Sequence, residues 1–483
     1  MANSHGSVTF QMSPSLATVA YLLGICGLFY LNRDESAHTS KALWIPVIWF
    51  WILGSKAISV WLGGASSATS AAALLEGSPL DAFFFQLLLV SGLAILVAHR
   101  RQLSASLITA NWPIALYFLF ALMSVVWSDF PDVSIKRWIK ATGDVVMALV
   151  VITDPQPLVA LRRLFSRVGF LLLPLSALFI KYYPELGRGY NRWTGEQFYN
   201  GVTTDKNLLG VTAYLLSLAA LWQILRLWRN ASLPNRNRQL VAQCAVLAFG
   251  VWDLFTANSA TSESCLMLGG FLMLITTSRK LRGRPAAVHA LLLTLVVVGG
   301  LVKVTGADVA IFHLLGRKAD LTGRASEIWP LLIPMAPNVL VGAGFESFWL
   351  GPRLQKVWDA FPNLFVSEAH NGYIEVYLQL GAAGIVLIFL ILVHGYRSAV
   401  SAFRIDPDTG SLMLAYVVTA AIYSYTEAGF RMLFFQWMFL ILAIFASSRI
   451  LKMPRKSVPA RFSPPESMWE TADVGATTDL VSH

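Results

Sequence analysis

The chain has 483 residues, of which 56% are hydrophobic and only 13% are charged, and its mean hydropathy is +0.59. Soluble domains carry about 25% charged residues, so this composition excludes a soluble protein. The formal net charge of +10 does not indicate nucleic-acid binding, because the basic residues form short clusters between apolar runs and no continuous basic face.

Apolar runs recur along almost the whole chain, and a helix needs roughly 20 apolar residues to cross a bilayer. The predicted spans are 16–31, 43–62, 80–98, 111–127, 136–152, 164–181, 207–226, 239–257, 262–278, 286–304, 371–394, 411–427 and 432–449. The fifth is the weakest, because four charged residues crowd its start: Lys136, Arg137, Lys140 and Asp144. The sequence therefore predicts an all-α polytopic membrane protein with about 12–13 transmembrane helices.

Lysine and arginine in the short connections predict the orientation, since such clusters mark the cytoplasmic side. They follow the seventh, ninth, eleventh and thirteenth spans, at 226–238, 279–284, 397–404 and 449–456. The opposite, periplasmic side would hold an outer loop at 182–206 and a large loop at 305–369, before the last three helices. Thirteen spans place the N-terminus outside and twelve place it inside, and the sequence leaves both open.

Two units are expected along the chain, a membrane domain over 1–452 and a disordered cytoplasmic tail over 453–483, which is rich in Pro, Ser, Thr and Ala. The three cysteines, Cys26, Cys244 and Cys265, lie within apolar runs and imply no disulfide framework. Phosphate-loop, nucleophile-elbow, H-E-x-x-H and Cys-x-x-Cys motifs are missing, which argues against nucleotide hydrolysis and zinc chemistry.

A histidine motif at 367–375 opens the long apolar span near the large loop. If Ser367 caps that helix, His370 lies in its first turn, where the helix dipole keeps the imidazole neutral and able to accept a proton. Gly381 and Gly384 lie on the stripe beneath His370 and would let a neighbouring helix approach closely. An interfacial histidine that hydrogen-bonds a loop carbonyl fits this pattern equally well.

Three other polar segments lie on the predicted outer side. Arg324, beside Gly323 in the large loop, suits a diphosphate headgroup because guanidinium binds phosphate oxygens bidentately; a snorkelling anchor is the alternative. Lys206 and Asn207 follow the Arg192 segment and start the seventh span, where an interfacial anchor is again the alternative. The hydroxyl-rich turn 258–264 could contact sugars or cap helix ends.

These segments, in this order, resemble the O-antigen ligase and polymerase superfamily, in particular its exopolysaccharide-polymerase-like branch. The resemblance rests on Arg-Trp-Thr-Gly at 192–195 with Lys-Asn-x-Leu-Gly at 206–210, on Thr-Gly-Arg at 322–324 with Gly-x-Gly-Phe at 342–345, and on His-Asn-Gly-Tyr at 370–373 with Gly381-x-x-Gly384. It spans nearly the whole chain up to the tail. The histidine motif with its downstream glycines is the most specific part.

The resemblance implies transfer of an undecaprenyl-diphosphate-linked saccharide donor to a saccharide or lipid acceptor, without metal or cofactor, at the periplasmic face of the bacterial inner membrane. His370 would be the general base on the acceptor hydroxyl, and Arg324 would bind the donor diphosphate and stabilise it as the leaving group. Residues expected to contact substrate are Arg192, Lys206, Asn207, Asn371 and Glu375. Partners would be the lipid bilayer and other polysaccharide export and chain-length proteins, with no nucleic acid.

One departure from the family pattern bears on the reaction. Ligase-like members often carry an arginine in the Ser-rich turn, whereas 258–264 has no basic residue. This favours a polymerase that joins repeat units into an exopolysaccharide or O-antigen-type polymer over a ligase that transfers a finished glycan to a lipid A core or another acceptor. A transporter, the alternative of a different class, would be expected to show paired broken helices at corresponding positions of two halves.

Overall fold

The computed structural model describes residues 12–34, 38–63, 77–100, 105–190, 195–278, 281, 284–305, 324–361 and 366–453. Arg192 lies outside these residues, as do most of the predicted tail (454–483) and much of the predicted large loop (306–323 and 362–365).

Fourteen helices of ten or more residues occur in this described part of the chain. They are α1 (Pro14–Leu31), α2 (Trp44–Leu53), α3 (Pro79–Ala98), α4 (Trp112–Met123), α5 (Pro131–Ile152), α6 (Pro157–Tyr182), α7 (Lys206–Arg229), α8 (Arg236–Ala257), α9 (Ala260–Thr276), α10 (Pro285–Val304), α11 (Gly351–Ala360), α12 (Gly372–Ile405), α13 (Pro407–Thr426) and α14 (Phe435–Leu451).

Short elements fill the connections between them. These are one- or two-turn helices at Ile58–Trp61, Ala105–Ala110, Pro184–Gly187 and Trp329–Leu332, 3-10 turns at Lys41–Leu43, Ser124–Trp127 and Ile333–Met335, and a π-helical turn at Arg324–Ile328. Strands β1 (Arg188–Tyr190) and β2 (Gln197–Tyr199) pair antiparallel in the predicted outer loop, with Arg188 opposite Tyr199.

The predicted all-α polytopic membrane fold is confirmed. Each of the thirteen predicted spans has a helical counterpart, and α11 lies within the predicted large loop. Among the described residues, six helices are long and apolar enough by themselves to cross a membrane: α1, α3, α6, α7, α8 and α12. The second span differs from the prediction of one helix over 43–62: α2 ends at Leu53, and a separate turn of helix begins at Ile58.

The predicted inner and outer connections lie at opposite ends of the bundle. At the basic end, Arg229 pairs with Asp408, and the Arg238 guanidinium donates to the Tyr30 carbonyl at 2.8 Å. At the other end, Tyr183 in the predicted outer loop donates to the Pro14 carbonyl at 3.3 Å. The start of α1 is therefore at the end with the outer loops, as the thirteen-span alternative requires. Which end faces the cytoplasm stays a prediction from the lysine and arginine pattern.

The acid in the weakest predicted span, Asp144, has a structural explanation. Asp144 of α5 is fully buried, and its two carboxylate oxygens accept from Trp49 Nε1 at 2.9 Å and from the Leu433 backbone N–H at 3.1 Å. Gly143 leaves room for the Trp49 ring, since a Cβ there would lie 2.1 Å from it. A buried carboxylate is tolerated when it is hydrogen-bonded, and this one fixes the connection 427–434 to α5.

A break in α12 at Gly381 is the main departure from a regular bundle. Gly381 has φ of +62° and ψ of −161°, a conformation that is essentially restricted to glycine. The loop 338–344 satisfies backbone groups on both sides of the break: after it, Ala382 N donates to Val339 O at 2.8 Å, and before it, the Gln379 carbonyl accepts from Gly344 N at 2.8 Å. Irregular backbone at membrane depth needs such partners.

This break corrects the prediction that Gly381 and Gly384 lie on one helical stripe facing a neighbouring helix. A Cβ on Gly381 would lie within 2.4 Å of backbone atoms of Leu340 and Val341, so the close neighbour of Gly381 is a loop. The two glycine motifs at 342–345 and 381–384 therefore meet in space, and their contact sets the position of the first two turns of α12.

Candidate active site

The helix that follows the histidine begins two residues after His370. Helix α12 starts at Gly372, and its N-cap is Asn371, whose Oδ1 accepts from the N–H groups of Tyr373 at 2.9 Å and Ile374 at 3.0 Å. The prediction that Ser367 caps the helix is therefore wrong, and so is the placement of His370 in its first turn. His370 instead precedes the cap, with φ of +48°, which turns its side chain towards the connection 427–434.

Two carboxylates surround the His370 ring. Nδ1 lies 2.8 Å from Glu368 Oε1 and 3.5 Å from Glu427 Oε2, although the N–H direction does not meet either oxygen well enough for a directed hydrogen bond. Burial alone lowers the pKa of His370, but the Glu368 and Glu427 carboxylates outweigh burial and raise it to about 9. The predicted neutral imidazole is therefore wrong for this site, because the ring is protonated at neutral pH.

Two arginines complete a continuous line of charges that we call the charged chain: Arg431, Glu368, His370, Glu427 and Arg324. Arg431 Nη1 lies 2.7 Å from Glu368 Oε2, and Arg324 Nη1 lies 3.0 Å from Glu427 Oε1 and donates to the Thr426 carbonyl at 2.7 Å. With His370 protonated, three positive and two negative groups leave one net positive charge. A site with that balance attracts an anionic substrate.

Glu368 of the charged chain is held in its ionised form. Burial raises the pKa of Glu368, but the His370 imidazolium and the Arg431 guanidinium outweigh burial and hold it well below its usual range. The side chains of Arg324, His370, Glu368 and Arg431 keep between 18% and 32% of their surface exposed, so a substrate can reach them. Glu427 is more deeply buried, at 8%.

Glu375 and Asn371, both predicted to contact substrate, are occupied within the protein. Glu375 is buried, with Oε1 accepting from Trp349 Nε1 at 2.6 Å and from Gln379 Nε2 at 2.9 Å, and Oε2 accepting from the Ala369 N–H at 2.9 Å. Asn371 donates from Nδ2 to the Tyr425 carbonyl at 2.9 Å. Both side chains position the histidine loop, and a direct contact with substrate stays a prediction.

The start of α7 lies close to the same site. Asp205 caps this helix, accepting from the Asn207 and Leu208 N–H groups at 2.9 Å, and Lys206 is exposed in the first turn. Packing around the Asp205 carboxylate raises its pKa, and the nearby Glu368 carboxylate adds to this effect. Lys206 and Asn207 are therefore near the charged chain. The distance to Arg192 is not defined, since that residue lies outside the described ones.

The hydroxyl-rich turn also reaches the site. Thr261 shares a hydrogen bond with Thr426 at 2.7 Å, and the Thr426 carbonyl in turn accepts from Arg324. A Cβ on Gly210 of α7 would lie 2.7 Å from Ser262 Oγ, so the glycine that ends the Lys-Asn-x-Leu-Gly motif lets α7 pack against this turn. Four segments that are far apart in sequence thus converge at one end of the bundle.

The donor atoms of Glu368, His370 and Glu427 lie within 4.8 Å of one another and are of a type that could hold a divalent cation. Both carboxylates, however, already contact an arginine in the charged chain. Guanidinium groups supply positive charge at the places where a divalent ion would supply it, so the residues fit a metal poorly. Metal independence remains a prediction.

A known protein is similar to this chain in sequence. Exopolysaccharide production protein ExoQ of Rhizobium meliloti (strain 1021) is 26% identical to this chain over 316 residues, which cover 62% of the chain and 68% of the relative. The chain resembles an exopolysaccharide production protein. This similarity confirms the predicted resemblance to the exopolysaccharide branch of the O-antigen ligase and polymerase superfamily. No family model matches the chain.

Arg431 belongs to the charged chain but is not in any of the sequence motifs that predict the site. Because the turn 258–264 has no basic residue, a second cation for the diphosphate must come from another segment. Arg431 lies in the short connection between the last two predicted spans, on the same side as the histidine motif. Its position in so short an outer connection was the feature of the sequence that could have indicated a site residue. Only the fold, however, brings Arg431 into contact with Glu368.

Proposed function

We propose that this chain is a membrane glycosyltransferase-type polymerase that joins undecaprenyl-diphosphate-linked repeat units during exopolysaccharide production, at the periplasmic face of the inner membrane. The observation that carries the proposal is the charged chain, which has a net positive charge and lies at the end of the bundle predicted to be outside. The relative's role in exopolysaccharide production supports the same reaction class.

In this proposal Arg324 and Arg431 bind the donor diphosphate. Both guanidinium groups contact a carboxylate through Nη1, and the fork geometry of guanidinium also suits two oxygens of a phosphate. During transfer, the bond between the anomeric carbon and the diphosphate oxygen breaks, and undecaprenyl diphosphate leaves with the bonding electron pair. The two arginines stabilise the negative charge that develops on that oxygen.

His370 would accept the proton of the acceptor hydroxyl as its oxygen attacks the anomeric carbon. Nδ1 faces Glu368 and Glu427, and in the described part of the chain Nε2 has no hydrogen-bond partner, so Nε2 is the nitrogen available to the acceptor. A carboxylate behind the ring stabilises the imidazolium that forms, as in other carboxylate and histidine pairs. Because the ring is protonated at neutral pH, it must lose a proton before each transfer.

Reconstitution of the purified full-length protein with lipid-linked repeat units tests this function. A ladder of product lengths is expected from a polymerase, whereas transfer of a single glycan only onto an added acceptor would identify a ligase and contradict the proposal. Movement of substrate across the bilayer without a new covalent product would identify a transporter. Because 258–264 has no basic residue, we expect the polymerase outcome, a ladder of product lengths.

The His370→Gln variant tests the role of the histidine in the same assay. Glutamine keeps a hydrogen-bonding side chain but cannot take up the proton, so the transfer rate is expected to fall on the order of 100-fold or more. His394→Gln is the matched control, since His394 lies on the same helix towards its far end and contacts Ser398. Near wild-type extension by His370→Gln, at equal protein level, would contradict the base assignment.

A further inference from the structure

A groove of about 730 Å³ lies between α1, α6 and α8, on the membrane-facing side of the bundle. The residues that line it are mainly apolar, and many of them are small. They include Ala17, Ala20, Gly24 and Leu28 from α1, Pro174 and Ala177 from α6, and Ala245, Ala248 and Trp252 from α8. This volume falls within the range of typical small-molecule pockets, about 300 to 1,000 Å³.

Gly24 in this groove does not serve helix packing. In membrane proteins, glycine and alanine on a helix face usually allow two helices to approach closely. A Cβ on Gly24 would instead meet no atom within 4 Å, so the wall of α1 at this point borders open space. The groove is a recess that a chain-shaped molecule can enter from the membrane.

The length of the groove matches one leaflet of a bilayer. On α1 it extends from Ala17 to Leu28, eleven residues apart, which corresponds to about 16 Å of helix. Half of a hydrocarbon core is about 15 Å. The groove therefore begins near the end that carries the charged chain, where α6 ends at Tyr182, and extends along α1 by about the thickness of one leaflet.

One cation marks the outer end of the groove. Lys181 is exposed in the last turn of α6, and its Nζ lies 5.2 Å from the centre of the Trp252 ring on α8. Among the described residues that line the groove, Lys181 carries the only charge. A lysine and a tryptophan at this depth are placed to meet the phosphate and glycerol region of a lipid whose chain fills the groove.

We infer that this groove binds an anionic glycerophospholipid of the leaflet next to the charged chain, with one acyl chain between α1, α6 and α8 and the headgroup phosphate at Lys181. This lipid site is separate from the diphosphate-binding residues and does not depend on the proposed reaction. A one-leaflet groove with one cation fits a phospholipid chain better than a polyprenyl chain, which is longer than a leaflet.

Native mass spectrometry of the purified full-length protein can test this site. The protein is titrated with phosphatidylglycerol, with phosphatidylcholine of identical acyl chains, and with a polyprenyl phosphate. Phosphatidylglycerol is expected to bind most tightly, and Lys181→Gln should lower its preference over phosphatidylcholine about fivefold, the effect of one lysine near a membrane surface. Lys356→Gln, in α11 outside the groove, should leave the preference unchanged.

Filling the groove tests the acyl-chain part of the inference. Gly24→Phe should abolish the tightly bound lipid, whereas Gly27→Phe should not, because Gly27 also borders open space on α1 but does not line the groove. Ala248→Phe fills the groove from the opposite wall and is expected to match Gly24→Phe. Equal binding of the neutral lipid, tighter binding of the polyprenyl phosphate, or retention of lipid in both filling variants would overturn the inference.

Discussion

The Glu368→Gln substitution probes the electrostatics of the charged chain most directly. The pKa of His370 is raised from 6.5 to about 9, and Glu368 is the strongest of the groups that raise it. A histidine with a pKa near 9 is only about 1% neutral at pH 7. Glutamine has nearly the same shape as glutamate but no charge, so the pKa of His370 should fall to a value between 6.5 and about 9.

The sign of the expected change follows from the role of the ring. If neutral His370 is the base, the extension rate of the wild type should rise with pH and level off above about 9. In Glu368→Gln the midpoint of this rise should move to lower pH. A drop of about one unit in the pKa of His370 would increase the neutral fraction of the ring at pH 7 roughly tenfold. Each neutral ring is expected to react more slowly in this variant, because Glu368 no longer stabilises the imidazolium that forms.

The assay is the initial rate of chain extension in proteoliposomes across roughly pH 6 to 10, the interval that brackets the titration of the ring. Asp129→Asn is the matched control, because Asp129 is also an acid at this end of the bundle but pairs with Arg353, at 2.6 Å from Nη2 to Oδ2. The same midpoint in Glu368→Gln and in the control would refute the electrostatic reasoning. A wild-type rate that falls as the pH rises through 9 would show that the imidazolium, and not the neutral ring, is the active form.

Three further predictions concern other parts of the molecule. Arg324→Lys keeps the charge but not the guanidinium fork and should extend chains roughly 10- to 100-fold more slowly, whereas an unchanged rate at equal protein level would make Arg324 an anchor. Gly381→Ala should sharply reduce the amount of folded protein, because Gly381 has φ of +62° and its Cβ would lie 2.3 Å from the Leu340 backbone; Gly270→Ala, with 3.5 Å to its nearest neighbour, should accumulate normally. A reporter that is active only in the cytoplasm should be silent when inserted near Asn338, and a strong signal there would reverse the topology.

The control for Arg324→Lys is Arg353→Lys. Arg353 also forms an ion pair at this end of the bundle, but its partner Asp129 is not part of the charged chain. Its substitution should leave the extension rate close to that of the wild type, which separates loss of diphosphate binding from a general effect of replacing an outer arginine.

The helices of this protein could be predicted from sequence because a membrane imposes a length and an apolar composition on each span. Even the fifth span is helical, despite Asp144, since a buried acid with two donors is tolerated. The sequence also indicated which connections share an end of the bundle, because lysine and arginine cluster on one side of the span order. His370 and Arg324 were predicted as site residues from local motifs alone.

The protonation of His370, the place of Arg431 and the break at Gly381 depended on the tertiary structure. Helix-dipole reasoning considers only neighbours in sequence, whereas the pKa of His370 is determined largely by carboxylates, of which Glu427 belongs to the far end of α13. The break is stable only because the loop 338–344 satisfies the backbone groups it frees. Spacing along one chain segment fixes a helix and its faces, but electrostatic interactions act over a few ångströms of space, and only the fold determines which distant charges come that close.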